Sequence, residues 1–172
     1  IQTTPIQLCL MAAQIGNGGY KIYPKLVLNN QEDLEYNDKY MPLYKNDKNI
    51  KIIQEAMFSS TNEIMGTSYR SRIEDPKYQF AGKTGTAQVK RITAKERELD
   101  LKTSEIPYEQ RDHALYVAFG PYKNPRYALS IVIEHGGSGG SVAAPLAKKL
   151  FKMIIDRHEI RKNFETKKYL NI

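Results

Sequence analysis

The sequence predicts an α+β domain, an antiparallel sheet with helices packed against it. Three observations carry this. Apolar residues recur at helical spacing near both ends of the 172-residue chain. Between them lie three consecutive strand-like runs, 78–89, 113–119 and 127–134. Loops rather than crossover helices join these runs, the pattern of a meander rather than of a parallel sheet.

Thr4-Pro5-Ile6-Gln7 is a helix start with three agreeing signals. Thr4 caps, Pro5 suits the first helical position, and Gln7 completes a capping box. Ile6, Cys9, Leu10 and Ala13 follow at helical spacing, and Gly16-Asn17-Gly18-Gly19 stops the helix with residues that tolerate a left-handed cap. A short extended pair is expected over 20–28 and irregular polar surface over 29–49. Ile50, Ile53, Ala56 and Met57 predict a second helix ending near Ser59, and 61–77 reads as a linker carrying Arg70, Arg72 and Lys77. The charged segment 90–112 reads as a solvated loop with a helical turn around 94–99. The runs 113–119 and 127–134 form a hairpin through Pro121–Arg126, apolar on both faces as covered strands are. A glycine-rich turn, Gly136-Gly137-Ser138-Gly139-Gly140-Ser141, leads into a last helix. Its buried stripe is predicted as Val142, Leu146, Leu150, Met153 and Ile154, with Lys148, Lys149 and Lys152 outward and a fraying tail from Arg157.

Composition excludes more than it selects. Hydrophobic residues make up 41%, enough for a core, and the net charge is +7. Acids and bases are interspersed, and no basic segment is interleaved with aromatics, so no nucleic-acid partner is expected. The lone Cys9 cannot form an internal disulfide and fits a buried thiol. No run of about 18 apolar residues is present. The chain opens at Ile1, already in the run-in to a helix, which suggests a piece of a longer protein.

The chemistry concentrates in Tyr78–Val89, where Ala81-Gly82-Lys83-Thr84-Gly85-Thr86-Ala87 interrupts a strand with a lysine, two hydroxyls and two glycines. A core strand would carry Val or Ile there. Glycine inside a strand marks a bulge or a close approach by a ligand or another backbone. Alternation puts Lys83 and Gly85 on one face and Thr84 and Thr86 on the other. That surface suits a carboxylate or an extended peptide. Gly82-Lys83-Thr84 is not a P-loop, because Lys77 stands where the first glycine belongs. The glycine-rich turn fails the dinucleotide pattern at Val142; a tight strand-to-helix connection explains it better than an anion site. His113 and His135 are expected to end adjacent strands, but His158 is too distant to make a metal site with them.

Four segments together resemble the C-terminal part of the transpeptidase domain of class B penicillin-binding proteins, most of all the elongation-type D,D-transpeptidases of the penicillin-binding protein 2 kind. They are Thr4-Pro5-Ile6-Gln7-Leu8 through Asn17-Gly18-Gly19; Ala81 through Val89; Arg111-Asp112-His113-Ala114 with Phe119 through Pro125; and Glu134 through Ser141 with Ala143-Ala144-Pro145. The resemblance implies a partial penicillin-binding/β-lactamase-like transpeptidase fold over residues 1–172. It implies a serine enzyme that cross-links peptidoglycan stem peptides ending in D-Ala-D-Ala, is trapped by β-lactams, and uses no cofactor. It further implies a membrane glycosyltransferase partner and a place on the periplasmic face of the inner membrane, held by an anchor outside this chain.

The resemblance also implies roles. Lys83 keeps the cleft electropositive, the Thr84 and Thr86 hydroxyls hold the terminal carboxylate, the Thr86 backbone N–H is one of two oxyanion donors, and Gly85 allows close approach of the nucleophile's helix. The nucleophile itself is absent: no serine here is followed three places later by lysine. Ser60-Thr61-Asn62 spells the family's S-x-N, yet it follows the Pro5 helix instead of preceding it, and reads as a coincidence. The piece alone is therefore expected to be inactive, and its open edges are expected to favour self-association. Three rival readings are a non-enzymatic transpeptidase-like binding module, a β-lactamase and an anionic-surface binder. The Arg111–Ala114 and Gly120–Pro125 segments argue against the second.

Overall fold

The computed structural model describes residues 2–24, 26, 41–91, 98 and 101–170, the last eight as backbone only. Helix α1 (Pro5–Gly16) opens as its residue order requires. Gln7 N–H donates to Thr4 Oγ1 at 3.4 Å and Thr4 N–H to Gln7 Oε1 at 2.8 Å, closing the capping box. The helix is followed by Gly18 and Gly19 at φ of 93° and 87°. Its buried positions are Ala12 and Gly16; Cys9, Leu10 and Ala13 are half-buried, and Ile6 is exposed. Small residues occupy the contact because a Cβ on Gly16 would stand 2.9 Å from Phe119. Cys9 Sγ lies 3.6 Å from Ala128 O, and burial pushes its thiol pKa up, as a structural thiol requires.

Residues 19–21 meet 41–43, with Lys21 N–H donating to Met41 O and Leu43 N–H to Gly19 O, both at 2.8 Å. This contact reaches across the polar stretch; the extended pair expected over 20–28 falls partly on residues 25, 27 and 28, and residues 25 and 27–40 lie outside the described residues. Helix α2 (Asp47–Asn62) is capped by Asn46 and runs past the end expected at Ser59. It buries Met57 and Thr61, while Ile53 is exposed. The segment after it is no free linker: Ser68, Ser71 and Ile73 are buried, and Tyr69–Ser71 forms a tight turn. The helical turn expected over 94–99 falls outside the described residues except at Glu98.

Strands β1 (Ala81–Ala87), β2 (His113–Gly120) and β3 (Tyr127–Ile133) form an antiparallel sheet in the order β1-β2-β3, the predicted meander. The motif strand is shorter than the 78–89 expected, because Gln79 N–H and Tyr78 N–H turn back onto Asp75 O. Register fixes the faces. Gly82, Ala118 and Leu129 lie side by side, as do Thr84, Tyr116 and Ile131, and Thr86, Ala114 and Ile133. That face carries the larger core, built with Ile73, Phe80, Ala143, Ala144, Ala147, Phe151 and Ile155. The opposite face carries Ala81, Phe119 and Ala128, then Lys83, Val117 and Ser130, then Gly85, Leu115 and Val132. Met57, Ile15 and Phe58 cover its closed end.

Helix α3 (Ala144–Leu170) corrects the predicted stripe. The buried side chains are Ala143, Ala144, Ala147, Phe151 and Ile155, with Phe151 fully buried. Val142, Leu146, Leu150 and Met153 are exposed, Met153 at 66%, and Ile154 is intermediate. The helix is entered through one π-type turn, Gly139–Ala143, which rotates the phase, and its contact is made by alanines rather than leucines. Lys149 and Lys152 face outward as expected, and Lys148 is half-buried. The helix continues beyond Arg157 to Leu170.

Candidate functional site

The candidate site is the outer edge of β1. Why glycine stands at its start is answered from beneath. Tyr116 is fully buried under Gly82, where a Cβ would meet its hydroxyl at 2.3 Å. The Tyr116 hydroxyl lies 2.8 Å from Thr61 Oγ1 and 3.1 Å from Ser68 Oγ, and Thr61 Oγ1 also reaches Gly82 O at 3.4 Å. This buried hydroxyl cluster ties α2 and the loop after it to the motif strand. Burial raises the Tyr116 pKa, so the phenol stays neutral. Asn62 completes the tie by donating to Phe58 O and Phe80 O, both at 3.0 Å.

Along the strand the outward groups follow from register. A Cβ on Gly139 would meet Leu115 O, Gly85 O and Gly85 N together, at 2.3, 2.7 and 3.2 Å, which places those atoms in the ladder between β1 and β2. In an antiparallel pair, residues alternate between exchanging both backbone bonds and turning both groups away. Thr84 and Thr86 therefore turn their N–H and C=O to the open edge. Thr84 O accepts from Lys83 Nζ there, at 2.9 Å. Lys83 also donates to Thr84 Oγ1 at 3.2 Å, so its side chain leaves the α1 face and wraps over the edge.

Beside this edge runs a groove of about 320 Å³ lined by Ser59, Ser60, Glu63, Met65, Thr67 and Lys83, among others. A hydroxyl series crosses it: Ser60 Oγ is 3.3 Å from Thr67 Oγ1, which is 3.0 Å from Thr84 Oγ1. The arrangement offers an ammonium, several hydroxyl donors and two unpaired backbone amides within one strip. That combination suits an anionic peptide terminus laid antiparallel or parallel to the strand.

The structure brings together Lys83, Thr84, Gly85 and Thr86, the four positions the sequence singles out. The space at Gly85 is narrower than expected, since a Cβ would stand 3.2 Å from Leu115 Cβ. The residues that sequence reasoning missed are Tyr116, Thr61, Ser68 and Thr67. Nothing short of the β1–β2 register would have found Tyr116. The glycine-rich turn is a close-packing device: Gly139 lies on the β1–β2 ladder, and a Cβ on Gly140 would stand 2.5 Å from Thr67 O. His113 and His135 do meet. The His135 N–H donates to His113 Nδ1 at 3.0 Å, and the rings lie 4.9 Å apart. Among the described residues no group of three or more His, Cys, Asp or Glu is placed to hold a metal ion.

The Penicillin binding protein transpeptidase domain family matches residues 1–152 of this chain. The chain belongs to that family. The peptidoglycan D,D-transpeptidase MrdA of Salmonella typhimurium is 34% identical over 159 residues, covering 89% of this chain and 25% of that protein. Among solved structures, PBP2 of Helicobacter pylori, in a complex with MreC, superposes with a TM-score of 0.70 at 27% identity, over 90% of this chain and 25% of that one. Pseudomonas aeruginosa PBP2, in complex with WCK 5153, gives a TM-score of 0.64 at 30% identity over 86% and 28%. The α+β meander with its packed helices is thus the fold of penicillin-binding transpeptidase domains. This chain spans about a quarter of the length of the curated relatives it matches.

Proposed function

We propose that this chain is the C-terminal part of the transpeptidase domain of a PBP2-type peptidoglycan D,D-transpeptidase, and that β1 is the strand on which the stem peptide docks. The observation that carries the reading is the outward turn of the Thr84 and Thr86 backbone beside Lys83. A D-Ala-D-Ala terminus has an extended backbone and a carboxylate, and this strip supplies a partner for each. In this reading a serine elsewhere in the parent attacks the carbonyl between the two D-alanines. The C–N bond breaks, the terminal D-alanine leaves with a proton, and the resulting ester is resolved by an amine of a neighbouring stem peptide. The Thr86 N–H stabilises the oxyanion, and the Thr84 and Thr86 hydroxyls hold the carboxylate. Lys83 keeps the cleft electropositive. Gly85 leaves room for the helix that bears the serine. β-Lactams enter by the same route and stop at the ester.

The chain holds no S-x-x-K, so it is inactive alone. The parent works on the periplasmic face of the inner membrane, held by a segment outside this chain, with a membrane glycosyltransferase as partner. Among the described residues no helix is long and apolar enough to cross a membrane.

The test is labelling by a fluorescent penicillin. The full-length parent is expected to take up the label on a serine outside this chain, and Lys83→Ala to slow uptake at least about 100-fold, the scale of losing a preorganised electrostatic group. The chain by itself is expected to stay unlabelled. A full-length protein that takes no label is a binding module, and label on the isolated chain overturns its assignment as the substrate-side piece.

A further inference from the structure

The hydroxyl series Ser60–Thr67–Thr84 does more than hold the loop in place. Building on the proposed docking of a carboxylate at Thr84, the geometry points to Thr67 as a positioning residue that turns Thr84 into a hydrogen-bond donor toward that carboxylate.

The argument is a count of protons. A threonine hydroxyl has one O–H and two acceptor lone pairs, and a carboxylate only accepts. For Thr84 to hold a carboxylate, its single O–H must be free to point at it. Both lone pairs are then best occupied from behind. Lys83 Nζ supplies one donor to Thr84 Oγ1 at 3.2 Å. Thr67 Oγ1, at 3.0 Å, supplies the other. With its one O–H given to Thr84, Thr67 Oγ1 meets Ser60 Oγ, 3.3 Å behind it, as an acceptor, and Ser60 donates. An arriving anion thus polarises three hydroxyls in one direction, and each bond in such a row strengthens the next.

Thr67 is held rigidly enough for this task. Ser68 N–H donates to Ser60 O at 3.0 Å, and Ser68 Oγ to the same carbonyl at 3.0 Å. On one side Gly66 lies so close to Ser60 O that a Cβ would be 2.3 Å away. On the other, Gly140 of the glycine-rich turn presses on Thr67 O, leaving 2.5 Å for a Cβ. The loop is clamped between the end of α2 and the turn into α3, so the hydroxyl is aimed before any ligand arrives.

The test uses the full-length parent and two penicillins, one with its free carboxylate and one as the methyl ester. Thr67→Val keeps the shape and removes the hydroxyl. It is expected to slow acylation by the free acid about tenfold, the scale of one hydrogen bond to a charged group, and to change the ester's rate less than about twofold. Thr67→Ser restores the free-acid rate to within about twofold. Ser60→Ala, one hydroxyl further back, gives a smaller loss with the same preference and serves if Thr67→Val fails to fold. Equal losses on acid and ester, or no loss on either, overturn the inference and leave Thr67 a structural residue. A wild-type protein that reacts with neither penicillin refutes the transpeptidase reading itself, and this inference with it.

Discussion

Among the described residues β1 and β3 are both outer strands of the same sheet, and each pairs with β2. Yet β1 spells Ala-Gly-Lys-Thr-Gly-Thr-Ala and β3 spells Tyr-Ala-Leu-Ser-Ile-Val-Ile. At β1 the open backbone is dressed with charge and hydroxyls, and Lys83 caps one outward carbonyl. Outer strands are commonly protected this way, by lysine and polar groups that deter pairing with a stray strand. β3 has no such dressing. Val132 is 38% exposed. A polar edge is one kept open for an exchangeable polar guest. An undressed apolar edge is one that readily pairs with another chain.

The largest effect expected is on the floor that supports both edges. Phe151 stacks on Phe80, ring centroids 4.9 Å apart, beneath the run-in to β1 and the end of β2. Phe151→Ala should destabilise the chain by about 3–5 kcal/mol, as for a buried phenylalanine. Its neighbour Leu150 is 39% exposed, and Leu150→Ala should cost less than about 1 kcal/mol. Urea unfolding of the two variants separates the observed phase of α3 from the one its leucines suggest, in which the order would reverse.

Next in size is a change confined to β1. Gly82→Ala drives a methyl into the Tyr116 hydroxyl and should cost about 1–3 kcal/mol, the range for overpacking. Tyr116→Phe removes the obstructing oxygen but strands Thr61 and Ser68, at about 1 kcal/mol. Together the two changes should cost only slightly less than their sum, because the hydroxyl contact is removed while two ring carbons, 2.5 and 2.7 Å from the new methyl, remain in Phe. Strict additivity in thermal melts would mean that the Tyr116 ring, and not its hydroxyl, dictates the glycine.

At β3 the comparison predicts behaviour in solution. We expect the chain to self-associate through the β3 edge and not through β1. Val132→Lys adds to β3 the protection that β1 already has, and should weaken self-association about tenfold by sedimentation. If a lysine at Val132 leaves the association unchanged, the two edges do not differ as their sequences imply.

How much of this was legible beforehand differs along the chain for a physical reason. The meander, the capping box at Thr4 and the strand bearing Lys83 were readable because each rests on local rules: caps, turns and a polar interruption in an apolar run. The packing phase of α3 was not. Its contact is made by Ala143, Ala144 and Ala147, whose small side chains carry little hydrophobic signal, and a π-type turn at Gly139–Ala143 shifts the register just before it. The tether at Thr61 and Asn62 was equally hidden. The letters Ser60-Thr61-Asn62 look like a catalytic motif out of order, and only the sheet register reveals that Thr61 meets Tyr116 across 55 positions.

The smallest effect expected concerns how β1 is fastened at its start. Tyr78 donates to Asp156 Oδ1 on α3 at 2.5 Å, and Lys77 Nζ lies 3.5 Å from the same oxygen and 3.0 Å from Glu159 Oε2. The Tyr78 hydrogen bond, then the Lys77 contacts, hold the Asp156 carboxyl below its ordinary pKa. A carboxylate depressed in the folded state stabilises fully above its unfolded pKa, and the contribution disappears as pH falls through the folded pKa. Asp156 is exposed at the surface, so the stabilisation is small. Asp156→Asn should lower the melting temperature slightly near pH 6, and the gap to wild type should close as the pH falls below the ordinary aspartate range. A gap that persists in acid would show that the amide disturbs α3 itself. A gap absent even near pH 6 would show that β1 needs no clasp beyond the Phe80–Phe151 stack below it.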